Sequence, residues 1–174
     1  MKTVEKLLEK AISKIPKEKV GLLFSGGVDS LALAFYLKKL NYDFTCYTVG
    51  IKGSKDIKAA KKLASELKLK HEVRIIPKKE IPSYLAKVVP ILRNTSPVDV
   101  SVGLTTYLAS LLAKEKIVIS GLGADEIFGG YSRHKDSKDL NSDLKKGLDR
   151  VYNGDLKRDV TIANSLDKEI FAPF

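Results

Sequence analysis

Two short runs in this 174-residue chain hold residue types suited to phosphate chemistry. The first is Ser25-Gly26-Gly27-Val28-Asp29-Ser30. Its glycines let the backbone approach an anion with no Cβ in the way, and Ser25 and Ser30 add hydroxyl donors. If the run opens a helix, its N–H groups lack intrahelical partners and sit at the positive end of the helix dipole. Asp29 alone would repel a phosphate, but a Mg²⁺ ion between the two turns repulsion into attraction. The second run is Ser120-Gly121-Leu122-Gly123-Ala124-Asp125-Glu126, continuing to Gly129-Gly130-Tyr131. It offers another glycine turn with a carboxylate, Asp125, able to reach the same metal.

Both runs follow apolar stretches that read as buried strands. Strands are expected at 19–24, 44–49, 71–76 and 117–120. Helical spacing marks 3–14, 30–40 and 54–69, with Ser54 opening the last, then 83–92 interrupted near Pro90, 100–114 and 155–169. Asn94–Asp99 reads as a loop, 132–155 as a polar and partly mobile stretch, and 171–174 as an apolar ending. Alternating strands and helices predict an α/β fold with a parallel sheet of about five strands, order 3-2-1-4-5, and helices on both faces. In such sheets ligands bind where strand order reverses, at the carboxyl ends of the strands. The long 77–116 connection would bring the fourth strand beside the first. Ser25–Ser30 and Ser120–Glu126 would then face each other, with Asp29 and Asp125 approaching one metal from two sides. Taken singly, each aspartate is an ordinary helix cap. The first run is not a P-loop, because the lysine of G-x-x-x-x-G-K-S/T is missing.

The hexapeptide resembles the pyrophosphate loop, SGGxDS, of the N-type ATP pyrophosphatases. Together with Ser120–Tyr131 it looks like the synthetase domain of asparagine synthetases and β-lactam synthetases, most of all their asparagine synthetase domain-containing relatives. Val49-Gly50, Asp56–Ala60, His71, Pro97–Asp99, Tyr107–Ala109 and the stretch from Arg158-Asp159 to Pro173-Phe174 resemble further family segments. The resemblance implies an adenine nucleotide α-hydrolase-like fold and an AMP-forming ligase. Such a ligase activates a carboxylate with ATP and Mg²⁺ for amide formation. By the same resemblance Ser25, Gly26, Gly27, Asp29 and Ser30 would hold pyrophosphate and metal, Leu23 and Val49 would flank adenine, Ser120 and Gly121 would touch AMP, and Asp125 would hold Mg²⁺. Arg133, Lys135 and Arg158 are the open choices for the charge that stabilises departing pyrophosphate.

The departures lie on the second-substrate side. Leu122 stands where asparagine synthetases commonly carry a glutamate base, Thr161 replaces a basic residue, and Phe171 stands where an arginine is usual. Residue 2 is Lys2, not a nucleophilic cysteine, so no N-terminal glutaminase domain is expected, and residues 1–174 read as one domain. By the resemblance, the family's later helices and catalytic lysine would lie beyond the segment that matches Pro173-Phe174. A base could come from elsewhere, for instance Glu126 or His134; Glu126 could instead brace its loop. His134 reads as an exposed loop residue, His71 as a strand-end packing residue and Cys46 as an inert buried thiol.

Composition bounds the rest. One cysteine excludes an intrachain disulfide and a multi-cysteine metal site, and fits a reducing cytoplasm. No apolar stretch reaches the ~20 residues of a membrane span. A net charge of +10 with no Gln or Trp, and lysines scattered along helices, matches a thermophile-like surface better than a nucleic-acid tract. The expected partners are ATP, a carboxylate of unknown identity, a separate glutaminase subunit and a second copy of the chain. A tRNA-modifying ATP pyrophosphatase and a nucleotide-binding module without ligase activity are the alternative functions.

Overall fold

Five strands pair in parallel in the order β3-β2-β1-β4-β5, as the sequence predicts: β1 Val20–Leu23, β2 Phe44–Gly50, β3 His71–Ile75, β4 Ile117–Ile119 and β5 Glu169–Phe171. The computed structural model describes residues 2–93 and 95–174. Eight helices accompany the sheet among the described residues: α1 Lys2–Ile12, α2 Val28–Lys39, α3 Lys55–Glu66, α4 Ile81–Leu92, α5 Pro97–Leu112, α6 Ala124–Phe128, α7 Leu140–Arg150 and α8 Leu156–Asn164.

Side-chain alternation along the strands explains why helices cover both faces. Val20 and Leu22 of β1, Cys46 of β2, and Ile117 and Ile119 of β4 pack with Ile12 of α1, Leu33 and Leu37 of α2, and Ala60 and Ala64 of α3. Tyr47 and Val118, one residue out of phase, pack on the opposite face with Leu112 and Ala113 at the end of α5. Gly21 points to that face too, where an added Cβ would lie 3.2 Å from the Tyr47 ring. A second cluster, around Val88, Tyr107, Leu108 and Ile162, ties α4, α5 and α8 together. Strand order reverses between β1 and β4, so the crevice above their carboxyl ends is the expected ligand position.

Several local expectations change. Residues 132–155 are not a loose polar stretch: a 3₁₀ turn, Ser132–His134, leads through a short irregular segment into α7 and one π-helical turn, Val151–Asp155. Asp139 caps α7 by accepting the Ser142 N–H at 3.1 Å. Helix α4 runs through Pro90 without interruption. Of the expected loop from Asn94 to Asp99, Asn94 lies outside the described residues and Pro97–Asp99 already belong to α5. That helix starts early because Ser96 accepts the Asp99 N–H and Pro97 occupies its first position. The last expected helix stops at Asn164, and the chain enters β5 instead of running on to 169. No described helix is long and apolar enough to cross a membrane.

Candidate functional site

The first glycine run does leave β1 and open α2. Gly27 occupies the N-cap position in extended conformation, with no side chain satisfying the first-turn N–H groups. Gly26 adopts a left-handed φ of +76° and lies so close to α3 that an added Cβ would sit 2.6 Å from the Ala60 backbone nitrogen. Only glycine combines that φ with that approach. Ser25 Oγ accepts the Gly27 N–H at 3.2 Å, and Ser30, almost fully buried, donates to the Gly27 carbonyl at 3.0 Å. The loop is thus shaped by its own hydroxyls.

The second run meets it across the β1–β4 seam. A Cβ on Gly121 would lie 3.2 Å from the Asp29 Cβ, so the two exits are in van der Waals contact. Ser120 Oγ accepts the Leu122 N–H at 3.2 Å. Gly123 and Gly129, with φ of +96° and +69°, bracket the short helix α6 that presents Asp125 and Glu126. Asp125 folds over Gly130, where a Cβ would lie 1.9 Å from its Oδ1. Burial first, then the charges of Asp125 and Glu126, raise the pKa of Asp29 above the ordinary carboxylate range. Three carboxylates therefore share one neighbourhood, and among the described residues none of them forms an ion pair with a lysine or arginine.

A crevice of about 280 Å³ opens between the two runs. Leu23, Ser25, Asp29, Ser30, Val49, Ser120 and Gly121 line it. Gly26, Gly27, Asp125 and Glu126 do not line the crevice, although the charges of Asp125 and Glu126 act on its Asp29. Glu126 is 7% exposed and accepts the Tyr131 hydroxyl at 2.9 Å; burial and that carboxylate push the Tyr131 pKa up to about 12. Glu126 packs against α7 at Gly147, where a Cβ would lie 2.9 Å from its Cγ. Leu122 lines the crevice and offers no proton acceptor there.

Sequence reasoning missed part of the wall. Phe24, Tyr47, Thr48, Thr105, Thr106 and Ala109 also line the crevice, as does Asp56 in the first turn of α3. Thr48 donates to the Phe24 carbonyl and, its single proton being used there, accepts from His71 Nε2 at 2.8 Å. His71 stacks edge-on against Phe24 with ring centroids 5.8 Å apart. A neutral strand-end histidine thus steadies the last peptide before the phosphate-type loop. The threonine pair in the middle of the mostly apolar α5 was the available signal for the opposite wall.

The cation choices narrow. Arg158 donates to Asp159 at 2.9 Å and to Asp155 at 2.6 Å, and lies 3.8 Å from Asp99. It clamps α5 to α8 and lines a separate cavity of about 390 Å³ with Arg150, Lys157 and Thr161. Lys135 is exposed. Arg133 lies 3.9 Å over the Tyr131 ring. His134, expected to be exposed, is buried at 8% and packs edge-on against Tyr131. Cys46 is fully buried and its pKa is pushed up to about 12 by burial, so its thiol is inert.

The family model for asparagine synthase matches residues 3–170. Over 168 residues the chain is 38% identical to "Putative asparagine synthetase (glutamine-hydrolyzing) 1" of Methanocaldococcus jannaschii, covering 90% of this chain and 30% of that protein. It is 32% identical over 143 residues to the glutamine-hydrolyzing asparagine synthetase of Zea mays, covering 74% and 24%. The chain therefore spans under a third of the length of these relatives. Among solved structures it resembles NMN synthetase of Francisella tularensis (TM-score 0.50, 18% identity, covering 97% of this chain and 87% of that one). It also resembles the NH3-dependent NAD synthetase of Campylobacter jejuni (TM-score 0.51, 21% identity, covering 75% and 60%). These two likenesses show the adenine nucleotide α-hydrolase-like fold.

Proposed function

This chain belongs to the asparagine synthase family, and from that premise we propose that its crevice binds Mg·ATP and transfers AMP to a carboxylate, as an AMP-forming ligase for amide formation. The observation that supports this most is the contact of two glycine exits, Gly121 against Asp29, at the point where strand order reverses.

The residues present fit a magnesium ion. Asp29 and Asp125 are neighbours with no cationic partner among the described residues, and burial disfavours leaving Asp29 charged and alone. Among the described residues no set of three or more His, Cys, Asp or Glu side chains converges as a metal cage. That suits Mg²⁺, which keeps waters and takes substrate phosphates alongside one or two carboxylates. When bound, the ion would neutralise charge on the phosphates. The chain's own part is positioning. The free N–H groups at the start of α2, with Ser25 and Ser30, would cradle pyrophosphate. Leu23 and Val49 would flank adenine, and Ser120 and Gly121 would touch the AMP portion. The carboxylate oxygen attacks the α-phosphorus, the bond to the bridging oxygen breaks, and pyrophosphate leaves with that electron pair. An amine then displaces AMP, with ammonia supplied by a separate glutaminase subunit. Glu126 is the base candidate nearest the acidic end, although its bond to Tyr131 equally suits a bracing role.

Calorimetric titration with Mg·ATP tests the reading. Asp29→Ala and Asp125→Ala should each weaken binding about 10-fold or more, a loss of roughly 1.4 kcal/mol or more. Unchanged affinity in both variants sinks the metal bridge. ATP–pyrophosphate exchange dependent on one carboxylate from a broad panel, with a glutaminase partner present, tests the ligase step. Leu122 on the crevice wall favours a second reading: a nucleotide-binding module that holds Mg·ATP and releases no AMP with any carboxylate.

A further inference from the structure

Resting on the Mg·ATP reading, we infer that Arg133 is the side chain that holds the pyrophosphate end of the nucleotide. The crevice wall contains Asp29 and Asp56 but no lysine, arginine or histidine. Leaving pyrophosphate carries more negative charge than one divalent cation neutralises, so a cationic side chain reaching the Asp29 end would stabilise it. Arg158 cannot do so, because Asp155, Asp159 and Asp99 already hold it at 2.6, 2.9 and 3.8 Å. Arg150 is turned to Asp155 at 3.7 Å.

Arg133 differs on three counts. Its guanidinium carbon lies over the Tyr131 ring, 3.9 Å from the centroid. That ring is anchored by its hydroxyl to Glu126, next in sequence to Asp125, and the charges of Asp125, Glu126 and Arg133 all act on the phenol. The cation is thus tethered beside the carboxylates that would hold the metal. A cation–π contact consumes none of the N–H donors of the guanidinium as a charge-assisted bond, so they remain to meet phosphate oxygens. Among the described residues no carboxylate takes those donors. The Gly129-Gly130 pair precedes this segment, and Gly129 has the left-handed φ of +69° that lets the chain turn back toward α6.

The test uses the full chain and two probes, inorganic pyrophosphate with Mg²⁺ and AMP, each competed against Mg·ATP. Arg133→Gln should weaken pyrophosphate about 10-fold and leave AMP within about twofold. Arg133→Lys should recover part of the loss, as a point charge without the guanidinium fork. The exposed position of Arg133 predicts melting temperatures equal to the parent's. Equal pyrophosphate affinity in the parent and Arg133→Gln overturns the assignment alone. A parallel loss of AMP affinity also overturns it, since a structural effect would weaken both probes. A parent chain that binds no Mg·ATP overturns the nucleotide reading beneath it.

Discussion

At the residue scale, the informative groups are those whose protonation or pairing is constrained. His71 is one. Burial, with a smaller contribution from Lys61, lowers its pKa below the ordinary 6.5. The folded chain therefore holds His71 neutral, while the unfolded chain protonates it near 6.5. Stability is fully present above that pH and declines as pH falls through the depressed folded value. Melting scans from neutral pH downward should show this decline, and His71→Gln should flatten it while keeping a donor for Thr48. A slope unchanged in His71→Gln would place the pH sensitivity elsewhere. Because Thr48 hands its proton to the Phe24 carbonyl, losing the donor altogether in His71→Ala should also loosen the entrance to the Ser25 loop.

At the element scale, the loop and α3 behave as one unit. Gly26→Ala forces an L residue to φ +76° and drives its Cβ to 2.6 Å from backbone. The left-handed conformation alone costs roughly 1–2 kcal/mol, and the clash with backbone adds to it. Urea unfolding should therefore show a loss of about 2 kcal/mol or more, with weaker Mg·ATP binding. A variant as stable as the parent would mean that the loop can leave α3 freely. The glycine runs were legible in the sequence because chemistry and conformation coincide there: glycine is required where backbone meets backbone or ligand. The strand order was legible from the long connection before β4. Other elements were not. Helix α7 has no buried residue, and its apolar face is only Leu140, Leu144 and Leu148 within a mostly polar stretch. β5 is three half-exposed residues, too short to show alternation. α4 absorbs Pro90, a residue that local rules place at helix ends. His134 is buried and packs against Tyr131, which no local pattern encodes.

At the scale of the whole molecule, a chain of net charge +10 has a crevice wall with no cation on it. The positive charge is spread over the surface, part of it in pairs: Lys39–Glu9, Lys70–Asp43 and Lys114–Glu72 join separate parts of the chain at 2.7 to 2.8 Å. Exposed pairs of this kind contribute little at 25 °C, about 0–1 kcal/mol each, and gain weight as networks at high temperature. Such a distribution attracts polyanions weakly and without register. Transfer RNA should therefore bind in the non-specific range, with Kd about 10⁻⁴–10⁻⁶ M, and lose affinity steeply between roughly 50 and 200 mM salt. Unrelated RNA of equal length should bind equally well, and Mg·ATP affinity should be the same with RNA present or absent. The discriminating measurement is a salt titration of both ligands on one preparation. Sub-micromolar binding at physiological salt that prefers tRNA over unrelated RNA would favour the tRNA-modifying alternative. Equal, salt-sensitive RNA binding beside RNA-independent Mg·ATP binding leaves the surface charge as a matter of solubility and heat resistance, and the chemistry to the acidic crevice.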